Sequence, residues 1–301
     1  MTFVKSHDEI QDLSVTIGCV NVRSLRNKTH DFVDNILEDK YDICMITETW
    51  LDGADDVIMT EATPSGFCFD HQPREQRAGG GVGLLCKQNF RPQRRPTLQK
   101  NTFEYCEWTL KIKNENILAV VIYRPPYSEH HLHSVTEFIK EFCDYQETII
   151  TSPHKIIIGG DFNIHCELFD DNDSNKFRDM LTKFTLTNHV QMPTHTGGHT
   201  LDLLITREHD DIIIHPIEAR SFISDHCFIY AKTTFKSHPP KEKQITFRRL
   251  KAINLPEFKS DIEISELNDF GNKTVHEKAA TYDRVLTDIL DKHAPKITKK
   301  H

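Results

Sequence analysis

Three isoleucines, two glycines and a pair of oxygen-bearing side chains form the segment that most restricts how this chain can fold. The segment is Lys155-Ile-Ile-Ile-Gly-Gly-Asp-Phe-Asn-Ile-His165. The β-branched run predicts a fully buried strand, and the glycines are expected to let the backbone turn tightly after it. Asp161 and Asn163 would then emerge at the edge of a sheet, where a carboxylate can hold or deprotonate a water molecule. The alternative interpretation is an ordinary Asp-x-Asn turn that follows a strand.

Length and charge limit the classes of function that the chain can have. The 301 residues are 38% hydrophobic, which is enough for one sizeable domain with an appendage. Because 37 basic residues face 45 acidic ones, for a net charge of -8, the chain has the wrong sign to coat nucleic acid by bulk attraction. Phosphate binding must therefore be local or assisted by a metal. Acidic clusters that hold a divalent cation would themselves make the charge negative, so a nuclease is not excluded.

Cysteine and histidine spacing argues against disulfides and zinc fingers. The eight cysteines are scattered and form no Cys-x-x-Cys pair, so we expect reduced core thiols. No two ligand pairs recur at finger-like intervals, and we expect no metal site from His165, His195 and His199. Since the first residues are charged and no run of about 18 apolar residues occurs, we expect an intracellular protein without a membrane span.

Strand-like and helix-like stretches alternate between residues 14 and 235, which predicts a sheet-rich α/β domain. Strands are expected at 14–20, 42–47, 84–86, 106–113, 117–123, 156–158, 201–206, 212–215 and 226–235. Helices are expected after Thr29, which is a possible cap, and at about 131–146 and 174–186.

The two ends of the chain differ from this domain. Residues 1–13 are expected to be an N-terminal lead, and residues 236–301 a linker followed by a tail. Lys236-Ser-His-Pro-Pro-Lys-Glu-Lys243 is polar and contains proline, which is typical of a linker. The tail is expected to hold one amphipathic helix, because apolar residues recur there at helical spacing. These residues are Val275, Ala279, Tyr282, Leu286 and Ile289.

Polar side chains stand at the ends of nearly all the predicted strands. They are Asn21, Glu48, Tyr123, Arg124, Asp161, Asn163, Asp202 and the triplet Ser224-Asp225-His226. Each residue alone is more often structural. Their shared position predicts that they converge on one site.

This ordered set resembles the endonuclease/exonuclease/phosphatase superfamily, which includes apurinic/apyrimidinic endonucleases and DNase I-like nucleases. The resemblance covers roughly residues 15–235. Several short sequence segments are similar, more specifically, to the endonuclease domain of LINE-type non-LTR retrotransposons. They are Asn21-Val-Arg-Ser-Leu25, Thr47-Glu-Thr-Trp-Leu51, Gly79-Gly-Gly-Val-Gly83, Tyr123-Arg-Pro-Pro126 and Pro193-Thr-His-Thr-Gly-Gly-His-Thr-Leu-Asp202. The tail resembles the stretch that joins such endonucleases to a reverse transcriptase.

The resemblance implies a two-sheet β-sandwich flanked by helices, with the active site at one end of the sheets and a helical tail beyond. It also implies a metal site. Glu48, which belongs to the catalytic set as well, would bind the divalent cation, and Asn21 would hold metal or phosphate. Asp225 would complete the metal shell or tune the neighbouring histidine. Oxygen ligands favour Mg²⁺ or Mn²⁺ over zinc.

The remaining matched residues acquire catalytic roles from the same resemblance. Asp161 would orient and deprotonate the attacking water, and Asn163 would hold that water or a phosphate oxygen. His226, oriented by Asp202, would stabilise the charged transition state. Tyr123 would donate a hydrogen bond to a phosphate oxygen or to the leaving group.

The function implied is a metal-dependent endonuclease that nicks target DNA and leaves a 3′-hydroxyl. DNA is the expected partner, a reverse transcriptase supplied in trans is a possible second one, and the expected location is nuclear. Substrate contacts are expected from five residues beside the catalytic positions: Arg23, Arg124, His199, Thr200 and Ser224. Two alternatives stay open. One is another phosphoesterase of the superfamily, acting on abasic DNA, RNA or a small phosphoester, and the other is a non-catalytic nucleic-acid-binding remnant of a retroelement.

Overall fold

The structure is a computed structural model that describes residues 13–74, 78–213, 215–235, 244–269, 271 and 273–300. The chain divides into two compact units, Met1–His238 and Pro239–His301. The expected lead, apart from residue 13, and the expected linker at 236–243 lie outside the described residues.

Twelve strands and four α-helices are described in the larger unit. The strands are β1 (Leu13–Asn21), β2 (Ile43–Thr47), β3 (Phe67–Gln72), β4 (Val82–Lys87), β5 (Gln93–Arg94), β6 (Glu104–Ile112), β7 (Glu115–Tyr123), β8 (Lys155–Asp161), β9 (Leu186–Asn188), β10 (Asp202–Arg207), β11 (Glu218–Phe222) and β12 (Cys227–Phe235). The helices are α1 (Thr29–Glu38), α2 (Asp56–Glu61), α3 (Val135–Ile149) and α4 (Asn172–Lys183).

The strands form two six-stranded sheets. One has the order β11-β12-β1-β2-β4-β3, and the other has the order β5-β6-β7-β8-β10-β9. Within them, β1 is parallel to β2 and β7 is parallel to β8, while most other pairs are antiparallel. A parallel pair places two carboxyl ends together, and an antiparallel neighbour adds its amino end to the same edge.

Alternation along β8 shows how the sheets pack. Ile157 joins a core cluster that also contains Met45 and Leu84 of the other sheet. Ile156 and Ile158 point the opposite way, into a cluster with α3 and α4. The two sheets therefore face each other across one core, and helices cover the outer surface, as in the predicted two-sheet sandwich. This fold class is confirmed.

The helices carry apolar faces that match these surfaces. α3 begins with a capping box, in which the Ser134 hydroxyl accepts from the Glu137 amide and the Glu137 carboxylate accepts from the Ser134 amide. Its Phe138 and Phe142 are fully buried, and Phe142 contacts Phe177 of α4. On the first sheet, Phe32 of α1 is buried in the same way.

Three local predictions were wrong. Thr29 does not cap α1, because the helix already includes it and the cap position is Lys28, which makes no side-chain capping bond. The strand expected at 212–215 is, over its described residues, only an isolated bridge between Ile213 and Thr233. Gly159 and Gly160 do not turn the chain, since β8 runs through both to Asp161.

Close packing explains these two glycines instead. A Cβ on Gly160 would lie 1.8 Å from the Ile122 carbonyl oxygen, and one on Gly159 would lie 2.4 Å from Met45 Sδ. The glycines therefore let β8 approach β7 and the opposite sheet closely.

In the smaller unit, the described residues form β13 (Gln244–Phe247) paired with β14 (Ile297–Lys300), and the helices α5 (Leu255–Glu263) and α6 (Val275–His293). The single predicted helix corresponds to α6. Its buried stripe is Thr281, Val285 and Ile289 rather than the predicted one, which includes the 85% exposed Val275. Across the described residues, no helix has the length and apolar character needed to span a bilayer.

Candidate active site

Strand ends bring the predicted polar residues to one edge of the sandwich. Asn21 ends β1, Tyr123 ends β7, Asp161 ends β8, Asp202 begins β10, Glu48 directly follows β2 and His226 directly precedes β12. Tyr123 and Asp202 are both register partners of Asp161, one on each side of it.

Asn21 connects the two sheets at this edge. Its side chain is completely buried, and its Nδ2 donates to Glu48 Oε1 at 2.9 Å and to Asp161 Oδ2 at 2.8 Å. Its Oδ1 accepts from the Arg23 amide at 3.0 Å, which fixes the orientation of the side chain. One amide therefore sets the relative position of two carboxylates from different sheets.

Asp161 is a buried carboxylate whose proton affinity is unusually high. Burial raises its pKa to about 8, and the nearby Asp202 charge adds to this, while His226 and the hydrogen bond from Asn21 act in the opposite direction. Asn163, in a left-handed conformation with φ of 48°, donates its amide to Asp161 Oδ1 at 2.9 Å. The raised pKa makes the Asp161 carboxylate a stronger base than an ordinary one, which suits it to accept a proton from water.

Asp202 and His226 form a buried pair. His226 Nδ1 lies 2.6 Å from Asp202 Oδ2, and the two side chains are 6% and 0% exposed. Burial alone lowers the pKa of His226, but the hydrogen bond and the charge of Asp202 outweigh it and raise the pKa to about 9. The imidazolium is therefore the favoured form at neutral pH and can donate from Nε2.

Tyr123 completes the group. Burial raises the pKa of its hydroxyl, and the Glu48 and Asp161 charges and a hydrogen bond to Glu48 add to the shift. The phenol therefore stays protonated and acts as a donor beside the two carboxylates.

The donor set fits a hard divalent cation. Glu48 and Asp161 supply carboxylate oxygens on either side of the Asn21 amide nitrogen, and Asp202 Oδ1 and Asp225 Oδ1 are buried without a hydrogen-bond partner. Unpaired buried carboxylate oxygens are costly unless a cation or a donor satisfies them. Oxygen ligands of this kind suit Mg²⁺ or Mn²⁺.

The structure corrects two of the five predicted substrate contacts. Arg124 is only 2% exposed, and its Nη1 donates to the carbonyls of Phe162 and Asn163, so it holds the Asn163 loop instead of a phosphate. Thr200 is 3% exposed, and its hydroxyl donates to the Met192 carbonyl.

The other predicted contacts are more accessible. The Arg23 side chain is 51% exposed and pairs with Asp225 at 2.5 Å. His199 is 40% exposed and lies against Glu167. The Ser224 hydroxyl donates to the Asn21 carbonyl and accepts from the His226 amide, so it positions both residues.

Sequence reasoning missed two neighbours of the site. Trp50 is 39% exposed and donates from Nε1 to Glu48 Oε2 at 2.9 Å. His195 Nε2 lies 3.2 Å from Asp225 Oδ2, and its ring centroid lies 4.9 Å from that of His226. An aromatic residue two positions after Glu48 was a usable signal for Trp50, whereas only the fold places His195 here.

Comparison with known proteins agrees with this arrangement. Residues 18–226 match the Endonuclease/Exonuclease/phosphatase family. No curated protein sequence matches the chain.

Three solved structures share the fold. The endonuclease domain of TRAS1, a telomere-specific non-LTR retrotransposon, aligns with a TM-score of 0.59 at 14% identity over 73% of this chain and 98% of that one. The AP endonuclease LMAP from Leishmania major gives 0.61 at 16% identity over 75% and 88%. An AP endonuclease from Archaeoglobus fulgidus gives 0.56 at 15% identity over 72% and 98%.

These findings confirm the resemblance expected from the sequence. Since the family match spans more than half of the chain, the protein belongs to the endonuclease/exonuclease/phosphatase family.

Proposed function

We propose that the protein is a divalent-metal-dependent DNA endonuclease that nicks its target and leaves a 3′-hydroxyl. The observation that carries the proposal is the Asn21 amide, which joins the Glu48 and Asp161 carboxylates beside the buried Asp202–His226 pair. The choice of DNA is supported by the named structural neighbours, which are a retrotransposon endonuclease domain and two AP endonucleases.

Phosphodiesters resist hydrolysis because their negative charge repels nucleophiles. Glu48, with Asn21 beside it, would hold Mg²⁺ or Mn²⁺, and Asp225 would contribute from the neighbouring loop. When bound, the cation neutralises phosphate charge and stabilises the leaving oxygen. Trp50 keeps the Glu48 carboxylate in place through its hydrogen bond, so that the Tyr123 hydroxyl is left to donate to the substrate.

Asp161 acts on the attacking water. As the water oxygen forms its bond to phosphorus, one of its protons moves to the Asp161 carboxylate. Asn163 holds the water or a phosphate oxygen, and its own position is fixed by the donation from its Nδ2 to the Arg124 carbonyl at 2.8 Å. The bond from phosphorus to the 3′ oxygen breaks, and that oxygen takes up a proton to become the 3′-hydroxyl.

His226 and Tyr123 stabilise the charge that develops on phosphate. The imidazolium donates to a phosphate oxygen, while Asp202 fixes the ring orientation. Tyr123 donates to a second phosphate oxygen or to the leaving group. Arg23 supplies the accessible positive charge for the backbone of the substrate.

In this proposal, the 3′-hydroxyl would serve as a primer for a reverse transcriptase supplied in trans, and the protein would work in the nucleus. The test is to incubate the full chain with supercoiled plasmid and Mg²⁺ or Mn²⁺, with an EDTA control, and then to add a polymerase. Metal-dependent nicked circles that the polymerase extends support the proposal.

A second function is favoured by one specific finding, namely that two of the named neighbours are AP endonucleases. A duplex with a single abasic site and an RNA strand should therefore be assayed in parallel. Cleavage of the abasic duplex or the RNA with an intact plasmid would assign another phosphoesterase activity. A folded protein that cleaves none of the three substrates would favour the non-catalytic, nucleic-acid-binding alternative.

A further inference from the structure

Two loops beside the proposed active site bring together three side chains that bind transition metals well. His165 and Glu167 lie in the loop after β8, and His199 lies in the loop before β10. The Nδ1 atoms of His165 and His199 are 3.0 Å apart, Glu167 Oε1 is 2.8 Å from His199 Nδ1, and it is 3.5 Å from His165 Nδ1. All three ligand atoms therefore lie close enough together to bind one ion.

Hydrogen bonding alone does not satisfy this triangle. Glu167 Oε2 already accepts from the Thr200 amide, and a carboxylate has no proton of its own to donate to either histidine. A proton on His199 Nδ1 can point fully at only one of Glu167 and His165, and a shared hydrogen bond is weaker to each. If the proton is on His165 Nδ1 instead, the lone pairs of His199 Nδ1 and Glu167 Oε1 face each other at 2.8 Å. If both Nδ1 atoms are protonated, their N–H groups face each other at 3.0 Å. A cation at the centre satisfies all three atoms at once.

The spacing of the three atoms fits a metal shell. Tetrahedral ligands about 2.0–2.2 Å from Zn²⁺ lie roughly 3.3–3.6 Å from one another, and the three distances here, 2.8, 3.0 and 3.5 Å, reach this range with movements of less than about 1 Å. Two imidazoles with one carboxylate suit Zn²⁺ and similar transition metals, whereas Mg²⁺ prefers oxygen alone. The side chains are 43%, 27% and 40% exposed, so an ion can reach them from solvent.

The two loops already hold these ligands in place. Glu167 Oε2 accepts from the Thr200 amide at 3.1 Å, which turns Oε1 toward the histidines. The His165 carbonyl accepts from the Ser174 hydroxyl at 2.8 Å, and the His199 carbonyl accepts from two backbone amides. Partners outside the metal shell that fix the ligands in this way are typical of metal sites.

We propose that His165, Glu167 and His199 form a second metal site, which binds Zn²⁺ or a similar transition metal. The site is separate from the oxygen-rich group around Glu48. It clamps the loop that follows Asp161 to the loop that precedes Asp202, and so fixes the two strand ends that carry those residues. The clamp does not depend on the proposed function, because it needs only the paired loops.

The test is a zinc titration of the full chain against a chromophoric chelator, with excess Mg²⁺ present to occupy oxygen-ligand sites. Wild-type protein is expected to bind one Zn²⁺ and to gain thermal stability from it. His165→Ala, Glu167→Gln and His199→Ala should each weaken zinc binding at least about tenfold and lose the thermal gain.

Two control variants locate the ion. His195→Ala removes a ligand of the neighbouring group with Asp225 and His226, and His30→Ala removes an exposed histidine of α1. Both are expected to retain zinc affinity and the thermal gain, and circular dichroism verifies that every variant is folded. Should the Glu167→Gln variant, which keeps the shape of the side chain, bind zinc as wild type does, the proposal is overturned. It is overturned equally if wild type binds no zinc or if His195→Ala abolishes binding.

Discussion

A hydrogen bond of 2.6 Å between Asp202 and His226 sets the protonation of the histidine. The folded-state pKa of His226, about 9 against an ordinary 6.5, means that this residue stabilises the fold fully below pH 6.5. The contribution is lost as the pH rises through 9. Asp202→Asn removes the charge that raises this pKa. In EDTA, the variant should therefore be less stable than wild type at pH 6, and the difference should shrink by pH 9.5. Urea denaturation measures the free energy of unfolding of both proteins at the two pH values. A difference between them that does not depend on pH would contradict the raised pKa of His226.

Trp50 illustrates a residue that acts through another one. Its Nε1 donates to Glu48 Oε2, so Trp50→Phe keeps most of the ring but frees the carboxylate to rotate. We expect the Mg²⁺ concentration for half-maximal nicking to rise about 10- to 100-fold, the usual effect of losing a partner behind a metal ligand. The matched control is Tyr282→Phe in the smaller unit, which should leave this concentration unchanged. Equal Mg²⁺ requirements in wild type and Trp50→Phe would refute the role.

The sequence predicts polar residues at strand ends better than it predicts their exposure. Asn21, Glu48, Asp161 and Asp202 could be placed at strand ends because each flanks an apolar run. Arg124 and Thr200 were misassigned because burial depends on which loops fold over them. Spacing gave no expectation of a metal site from His165, His195 and His199, since His165 and His199 lie 34 positions apart and meet only because β8 pairs with β10.

At the scale of elements, the approach of β8 to β7 depends on one glycine. Gly160 has φ of 145°, and a Cβ there would collide with the Ile122 carbonyl oxygen. We expect Gly160→Ala to lower the free energy of unfolding by roughly 3 kcal/mol or more, or to prevent folding. Gly53→Ala adds the same methyl group with no atom within 4 Å and should change stability by no more than about 0.5 kcal/mol. A Gly160→Ala protein as stable as wild type in urea would show that this close approach is not needed.

Buried strands and long amphipathic helices could be predicted because their patterns extend over many residues. β1, β2, β7, β10 and β12 were expected within one or two residues of their observed bounds. Short edge strands such as β5 and β9 have too few residues to carry a pattern, and their pairing is decided by the neighbouring strand. The buried face of α6 differs from the predicted one because the apolar residues of this helix do not all point toward the rest of the smaller unit.

On the scale of the whole molecule, every residue of the proposed catalytic set lies between Asn21 and His226, inside the larger of the two units. A chain shortened to residues 1–238 should therefore nick plasmid at a rate within a few-fold of the full chain. The initial rates of plasmid nicking by the two chains, measured at equal concentration, test this prediction. Loss of nicking by a folded shortened chain would mean that residues 239–301 take part in catalysis or binding.

The central claim is that Asp161 activates water in a metal-dependent hydrolysis of DNA. The most direct measurement is the initial rate of plasmid nicking in Mg²⁺ for wild type, Asp161→Asn and Asp144→Asn, the last being an exposed position on α3. Loss of a general base typically lowers the rate about 10²- to 10⁴-fold, so Asp161→Asn should fall by that factor with its fold intact, while Asp144→Asn should match wild type. A folded Asp161→Asn protein that nicks at the wild-type rate would contradict the mechanism.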